Sequence, residues 1–310
     1  MEMLPVFEQL VVLVLIMAAG VVLAKLDILN ELFLEGLNKF LIRFTLPCML
    51  INSMQQAYSE ELMQNTLILF GISVASFAAL ILVVEIWGKC SKMPKRRSGM
   101  YQYMIVNGNT GFLGFPVMQA LSGELGLFYS SMFCIPNTFV TFTYGLIAIA
   151  RGSGEHITLK KLLYNPPLIA SLLGLLMFVC RVNLPYVLGR PIEWIGDMTI
   201  PISLLIVGAW LSKCRIKELF YPVGIWVVSL IRLIVLPAIM ATVLYLLGAR
   251  GVILLVPTVM FGTPVALLAE TFAMEYHNDV FTVGKAVMLS NLLTVATMPL
   301  LLTILVPLAG

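Results

Sequence analysis

Within Gly108-Asn-Thr-Gly-Phe-Leu-Gly-Phe-Pro-Val117, an amide, a hydroxyl, three glycines and a proline interrupt an otherwise apolar run. Gly111 and Gly114 lower helical preference, and Pro116 removes a backbone donor and crowds the preceding turn. A helix restarting after such a break exposes free N–H groups and the positive end of its dipole, which together suit an anion. Asn109 and Thr110 add side-chain donors and acceptors at the same depth. A second stretch, Met260-Phe-Gly-Thr-Pro-Val265, supplies Gly262, Thr263 and Pro264 in the same manner. Asn109 has two compatible roles, contacting a ligand and capping the restarted helix. Asn137, in Ile135-Pro-Asn-Thr-Phe139, and Asn291, after Ser290, join the candidate set. Hydrogen bonding between helices is their competing role.

Charged residues inside apolar runs are expensive and therefore suspect. Arg232, in Val228-Ser-Leu-Ile-Arg-Leu-Ile-Val-Leu236, has two readings. Its guanidinium can bind a substrate carboxylate bidentately, or it can serve structure, paired with Glu85 or Glu270 or snorkelling to an interface. Lys285 reads as snorkelling or pairing. Arg43 and Asp197 each lie four residues before a proline, Pro47 and Pro201. That symmetry predicts a structural pair, with proton coupling as the weaker option. His156 and His277 fall in loops and are assigned no chemistry.

The elements that must position these residues are membrane helices. Hydrophobic residues make up 60% of the 310-residue chain and charged residues 11%, against about half and a quarter in soluble domains. Mean hydropathy is +0.99. The pattern predicts an all-α polytopic membrane protein with ten spans, at 4–24, 37–54, 64–88, 99–121, 126–150, 166–180, 191–212, 223–248, 251–272 and 279–304. The first run lacks a basic leader and reads as a span rather than a cleaved signal. Placing Lys89-Cys-Ser-Lys-Met-Pro-Lys-Arg-Arg97 inside puts twelve basic residues in inner loops, against Arg181, Arg190 and Arg250 outside. Both termini are then extracytoplasmic, and the location is the cytoplasmic membrane. The five cysteines have no metal-ligand spacing and read as reduced packing residues. The net charge of +3 comes from membrane-flanking loops and does not argue for nucleic acid.

The halves echo each other. Gly20 and Pro47 are 27 residues apart, as are Gly174 and Pro201. Leu113-Gly-Phe-Pro-Val117 matches Phe261-Gly-Thr-Pro-Val265. Five spans per half is an odd number, so the second copy enters with opposite orientation. The expected organisation is a repeat over 1–150, a cytoplasmic linker over 151–165 and an inverted repeat over 166–310. Inverted repeats with interrupted helices at equivalent places mark secondary transporters. Broken backbone must line a protein-enclosed or wet cavity, because lipid cannot satisfy it.

Asn109-Thr-Gly-Phe-Leu-Gly-Phe-Pro116 resembles the Asn-Thr-x-x-x-Gly-x-Pro element of the auxin efflux carrier family, which includes bacterial permeases for organic acids. The resemblance continues through Asn165-Pro-Pro167, Pro201-x-Ser-Leu-Leu and Ala273-Met-Glu-Tyr-His-Asn-Asp279. It implies an elevator-type transporter. Spans 1, 2, 6 and 7 would form a dimerising scaffold, and spans 3–5 and 8–10 a transport domain whose broken spans 4 and 9 cross. The plant members carry a long insert between spans 5 and 6 that this chain lacks, and a proline where it has Gly108.

The functional expectation is a secondary carrier of small organic anions, using alternating access and no cofactor. Its expected partners are the anion, the bilayer and a second copy of the chain. The alternative is a cation-coupled symporter or antiporter on a related inverted fold. Such carriers usually hold paired acids at the crossing, and none lies within five residues of Asn109 or Thr263. An enzyme is not expected, since no nucleophile–base set is present.

Overall fold

The computed structural model describes residues 3–153, 164–212, 219 and 221–309. His156, Lys160 and Lys161 of the linker lie outside the described residues, as do Lys213, Cys214, Arg215 and Lys217. Among the described residues the regular structure is helical apart from one isolated bridge. In chain order the helices are α1 (Met3–Lys25), α2 (Glu31–Phe40), α3 (Leu46–Ser53), α4 (Glu60–Cys90), α5 (Lys95–Val106), α6 (Phe115–Val140), α7 (Leu146–Ile149) and α8 (Pro166–Val179). Then follow α9 (Tyr186–Asp197), α10 (Thr199–Ser212), α11 (Gly224–Leu230), α12 (Leu236–Leu246), α13 (Gly251–Phe261), α14 (Leu268–Glu275) and α15 (Val280–Ala309).

Among the described residues, five helical stretches are long and apolar enough to cross a bilayer: Glu60–Cys90, Thr110–Ile149, Tyr186–Ser212, Gly224–Leu246 and Val280–Ala309. Val11–Lys25, Pro166–Val179 and Gly251–Phe261 are shorter apolar helices. Thr110–Ile149 folds back on itself at Ser122 and Gly123. Gly123 has φ 58° and ψ −148°, a combination that a side chain would forbid.

Prolines shape the long helices without ending them. Pro47, Pro116 and Pro237 each stand at the start of an α-helix, just after a five-residue π-turn: Leu41–Thr45, Thr110–Gly114 and Ile231–Val235. A wider turn at that point makes room for the ring and for the carbonyl that the missing N–H leaves behind. For Pro116 that carbonyl belongs to Phe112, and it shares the Ser203 hydroxyl of α10, at 3.2 Å, with the Ile200 carbonyl at 2.8 Å.

Small residues let backbones meet. α1 packs along α10, where a Cβ on Gly20 would strike the Leu205 backbone and one on Gly208 the Met17 carbonyl. Such close crossings are how helices associate where apolar burial gives no drive. α3 packs against both α8 and α9. Leu67, Leu82, Leu173 and Leu300 point outward, as lipid requires of a spanning helix. The interior around α5, α6 and α13 is filled by Tyr103, Met104, Phe128 and Phe133, all fully buried.

One expectation is corrected. Gly114 and Pro116 do not break the helix, because the π-turn and Ser203 absorb the proline. The chain leaves helical geometry earlier, at Asn107, Gly108 and Asn109. At the crossing Gly108 stands opposite Val265.

Candidate functional site

α5 runs to the middle of the bundle and stops at Asn107, which turns extended with φ −99° and ψ 114°. α13 stops likewise at Gly262. The two interrupted segments then pair antiparallel. The Asn109 N–H donates to the Pro264 carbonyl at 2.8 Å, and the Ala266 N–H to the Asn107 carbonyl at 3.0 Å. The Val265 N–H donates to the Ser290 hydroxyl at 3.1 Å, tying the crossing to α15. Two N–H groups and two carbonyls freed by the breaks thus satisfy each other across the crossing.

Helical structure resumes at Thr110 and at Leu268. Asn109 caps the first restart, its Oδ1 accepting the Phe112 N–H at 3.3 Å. Both restarts line one cavity of about 170 Å³, the first through Gly108, Asn109, Thr110 and Gly111, the second through Ala266, Leu267 and Leu268. Asn137 and Thr141 form another wall, and Asn165 and Ser171 of the α8 end a third. No carboxylate is among the described residues that line it.

Two side chains that line this cavity each keep a buried polar atom without a hydrogen-bond partner among the described residues: Asn109 Nδ2 and Asn137 Oδ1. Their neighbours are held in place. Asn137 Nδ2 donates to Thr110 Oγ1 at 3.2 Å, and Thr141 Oγ1 to Asn107 Oδ1 at 2.8 Å. Asn107 Nδ2 in turn donates to the Tyr103 carbonyl at 3.1 Å. A carboxylate accepts only, so Asn109 Nδ2 and the restarted helix ends are complementary to it.

Arg232 lies on the other side of the crossing and is 2% exposed. It does not snorkel, and among the described residues it pairs with no acid. Nε and Nη2 donate to the Thr263 carbonyl at 3.0 and 2.9 Å, Nη2 also to Thr263 Oγ1 at 3.1 Å. Nη1 donates to the carbonyls of Ile105 and Val106 at 2.9 and 3.2 Å. Glu85, one proposed partner, is bonded instead to Arg151 at 2.5 Å and to the Tyr144 hydroxyl at 2.7 Å. Glu270, the other, is exposed in the first turn of α14.

The remaining sequence candidates separate. Gly262, Thr263 and Pro264 do not line the cavity, and Thr263 serves Arg232. Gly114 packs on Met260 and Thr263. Pro116 lines a different cleft, shared with Gln119, Glu124 and Asp197. Asn291 lines a third, smaller one and donates to the Val287 carbonyl at 2.8 Å. Arg43 is exposed and does not pair with Asp197, whose charged neighbours are Arg190, Glu193 and Glu124. Lys285 reaches the Tyr221 carbonyl at 3.3 Å and lies over the Phe281 ring. Asn107, Thr141, Asn165 and Ser171 were absent from the sequence candidates. The one-turn spacing of Asn137 and Thr141 was a usable signal.

The chain matches the family model described as membrane transport protein over residues 5–302. It is 26% identical to an uncharacterized transporter of Methanothermobacter thermautotrophicus, covering 93% of this chain and 94% of that protein. An uncharacterized transporter of Methanocaldococcus jannaschii is 25% identical over 93% of this chain and 95% of its own. Auxin efflux carrier component 1 of Arabidopsis thaliana is 24% identical over 40% of this chain and 21% of its own. These relatives are transporters, not enzymes. With its apolar helices and interrupted crossing, the chain is a multi-pass membrane transport protein of the auxin efflux carrier family.

Proposed function

We propose that this transporter moves small organic anions, carboxylates in particular, across the cytoplasmic membrane, binding them in the cavity beside Asn109. The observation that carries this reading is the buried, unpartnered Asn109 Nδ2 at the meeting of two helix beginnings. A carboxylate there receives hydrogen bonds without displacing an existing acceptor, in a setting of positive dipole ends. Among the described residues the lining holds no acidic side chain to repel it.

The mechanism is alternating access in an inverted repeat of ten spans. The packing of α1 on α10 and of α3 on α8 supports the repeat, since exchanging equivalent spans turns one contact into the other. Spans 1, 2, 6 and 7 form the scaffold and the homodimer contact. Spans 3–5 and 8–10 carry the site, with both termini extracytoplasmic. The cavity reaches the start of α8, which the basic loops assign to the cytoplasmic side, and this supports an inward-facing conformation.

Thermal melting of purified protein against a panel of short mono- and dicarboxylates tests this. A bound acid raises the melting temperature of the wild type. Asn109→Asp retains a capping oxygen but replaces the amide donor with negative charge. It should stay folded and lose the carboxylate response by tenfold or more on the general scale of such contacts. An unchanged response in Asn109→Asp removes the site from the proposal.

A further inference from the structure

Arg232 raises a question that its neighbours answer. A guanidinium this deeply buried ordinarily has a carboxylate beside it, yet its five hydrogen bonds all end on backbone carbonyls and one threonine hydroxyl. Those oxygens are where they are because two helices stop. Ile105 and Val106 are the last residues of α5, and Thr263 follows the end of α13. Their carbonyls would otherwise accept from the next turn, which does not exist. Each helix C-terminus carries about half a negative charge, so two of them together balance roughly one cation.

The crossing therefore has two poles. Helix beginnings face the open cavity, and helix ends face Arg232. In secondary transporters generally, unwound carbonyls and half-helix C-terminal ends are the groups that coordinate coupling cations. Three carbonyls and a hydroxyl of that kind converge here, and a side chain fills the space between them. Gly108 shows that the space is reserved for it. A Cβ at Gly108 would collide with Arg232 Nη2 and Thr263 Oγ1, and its φ is not among the positive values, so room rather than backbone freedom requires the glycine.

We infer that Arg232 is a resident cation, fixed among the carbonyls at the crossing of α5 and α13, which takes the place of a dissociable coupling cation there. The crossing then holds its geometry without sodium, and anion binding at the opposite pole needs no co-bound metal ion. Only this last consequence rests on the carboxylate reading above.

The test uses purified full-length protein, with thermal melting as the readout and no substrate present. Failure here is thereby distinguishable from failure of the carboxylate screen. Wild-type protein should melt at the same temperature in sodium chloride and in choline chloride. Arg232→Lys keeps a cation and should retain most of the stability, whereas Arg232→Met, similar in length but neutral, should lose several degrees. Arg232→Ala should melt lower still and recover saturably with millimolar ethylguanidinium or sodium, but not with choline. A saturable rise of the wild type with sodium overturns the inference. So does a folded Arg232→Ala that no cation restores. Equal behaviour of the Lys and Met variants, folded or not, also overturns it and leaves Arg232 a packing residue.

Discussion

Nη2 of Arg232 lies where a methyl group on Gly108 would have to go. The two residues are 124 positions apart, one at the break after α5 and the other in the π-turn before α12, yet the smallest change at one is a steric change at the other. Gly108→Ala should destabilise the protein by about 1–3 kcal/mol, the usual cost of overpacking. Combined with the more flexible Arg232→Met, the loss should be less than additive, because the clash then has no rigid partner. Melting of the two single variants and the double variant reads this directly. Strict additivity would show that the two do not share the space.

A second prediction concerns the carbonyl that Pro116 leaves free. Ser203→Ala removes its donor and strands a buried acceptor, at a cost of about 1–3 kcal/mol. Pro116→Ala restores an N–H close enough to serve the Phe112 carbonyl, so the double variant should melt nearer the wild type than Ser203→Ala alone. If both changes simply accumulate, the hydroxyl does not stabilise that carbonyl.

The site was legible in part. Asn109, Thr110 and Gly111 stood out because an amide and a hydroxyl beside glycines are conspicuous in an apolar run, and all three line the cavity. The place of the break was read too late in span 4, since a proline disrupts a helix only if its orphaned carbonyl finds no partner, and Ser203 is 91 residues away from Phe112. In the sequence, the charge of Arg232 points to an acidic partner. Helix ends act as partners only once the breaks are placed, and Ile105 is 127 residues distant. The helical class and the multiple spans followed from composition and run length, which act locally.

Cys134 lines the cavity beside Thr138 and Asn137, and Cys48, Cys90 and Cys180 lie elsewhere. In a variant with Cys48, Cys90, Cys180 and Cys214 replaced by serine, a small methanethiosulfonate reagent should label Cys134 slowly. A carboxylate that raises the melting temperature should slow the reaction several-fold further by occupying the same volume. Labelling indifferent to such a carboxylate would place the ligand outside this cavity.

The Glu85–Arg151 pair joins α4 to the segment after α7, with Tyr144 and Gln102 completing it at 2.7 and 2.6 Å. Both charged side chains retain more than a quarter of their exposure, so the pair is worth about 1 kcal/mol rather than a buried ion pair's several. A double-mutant cycle with Glu85→Gln and Arg151→Met should return a coupling energy of about that size, reduced at high salt. Coupling several times larger would mean that the network is shielded from water.

The turn at Ser122 and Gly123 leaves no slack between two limbs of the chain. One limb bears Asn109 and Thr110, the other Asn137 and Thr141, and the bond from Asn137 to Thr110 closes the loop far from the turn. A hairpin fastened at its bend and latched near its open end is a stiff truss. Neither limb can slide without the other, so Asn109, Thr110, Asn137 and Thr141 keep their spacing through any displacement of the bundle around them. Under the alternating access proposed above, cargo held by that truss would keep its contacts to these four residues as the truss moves.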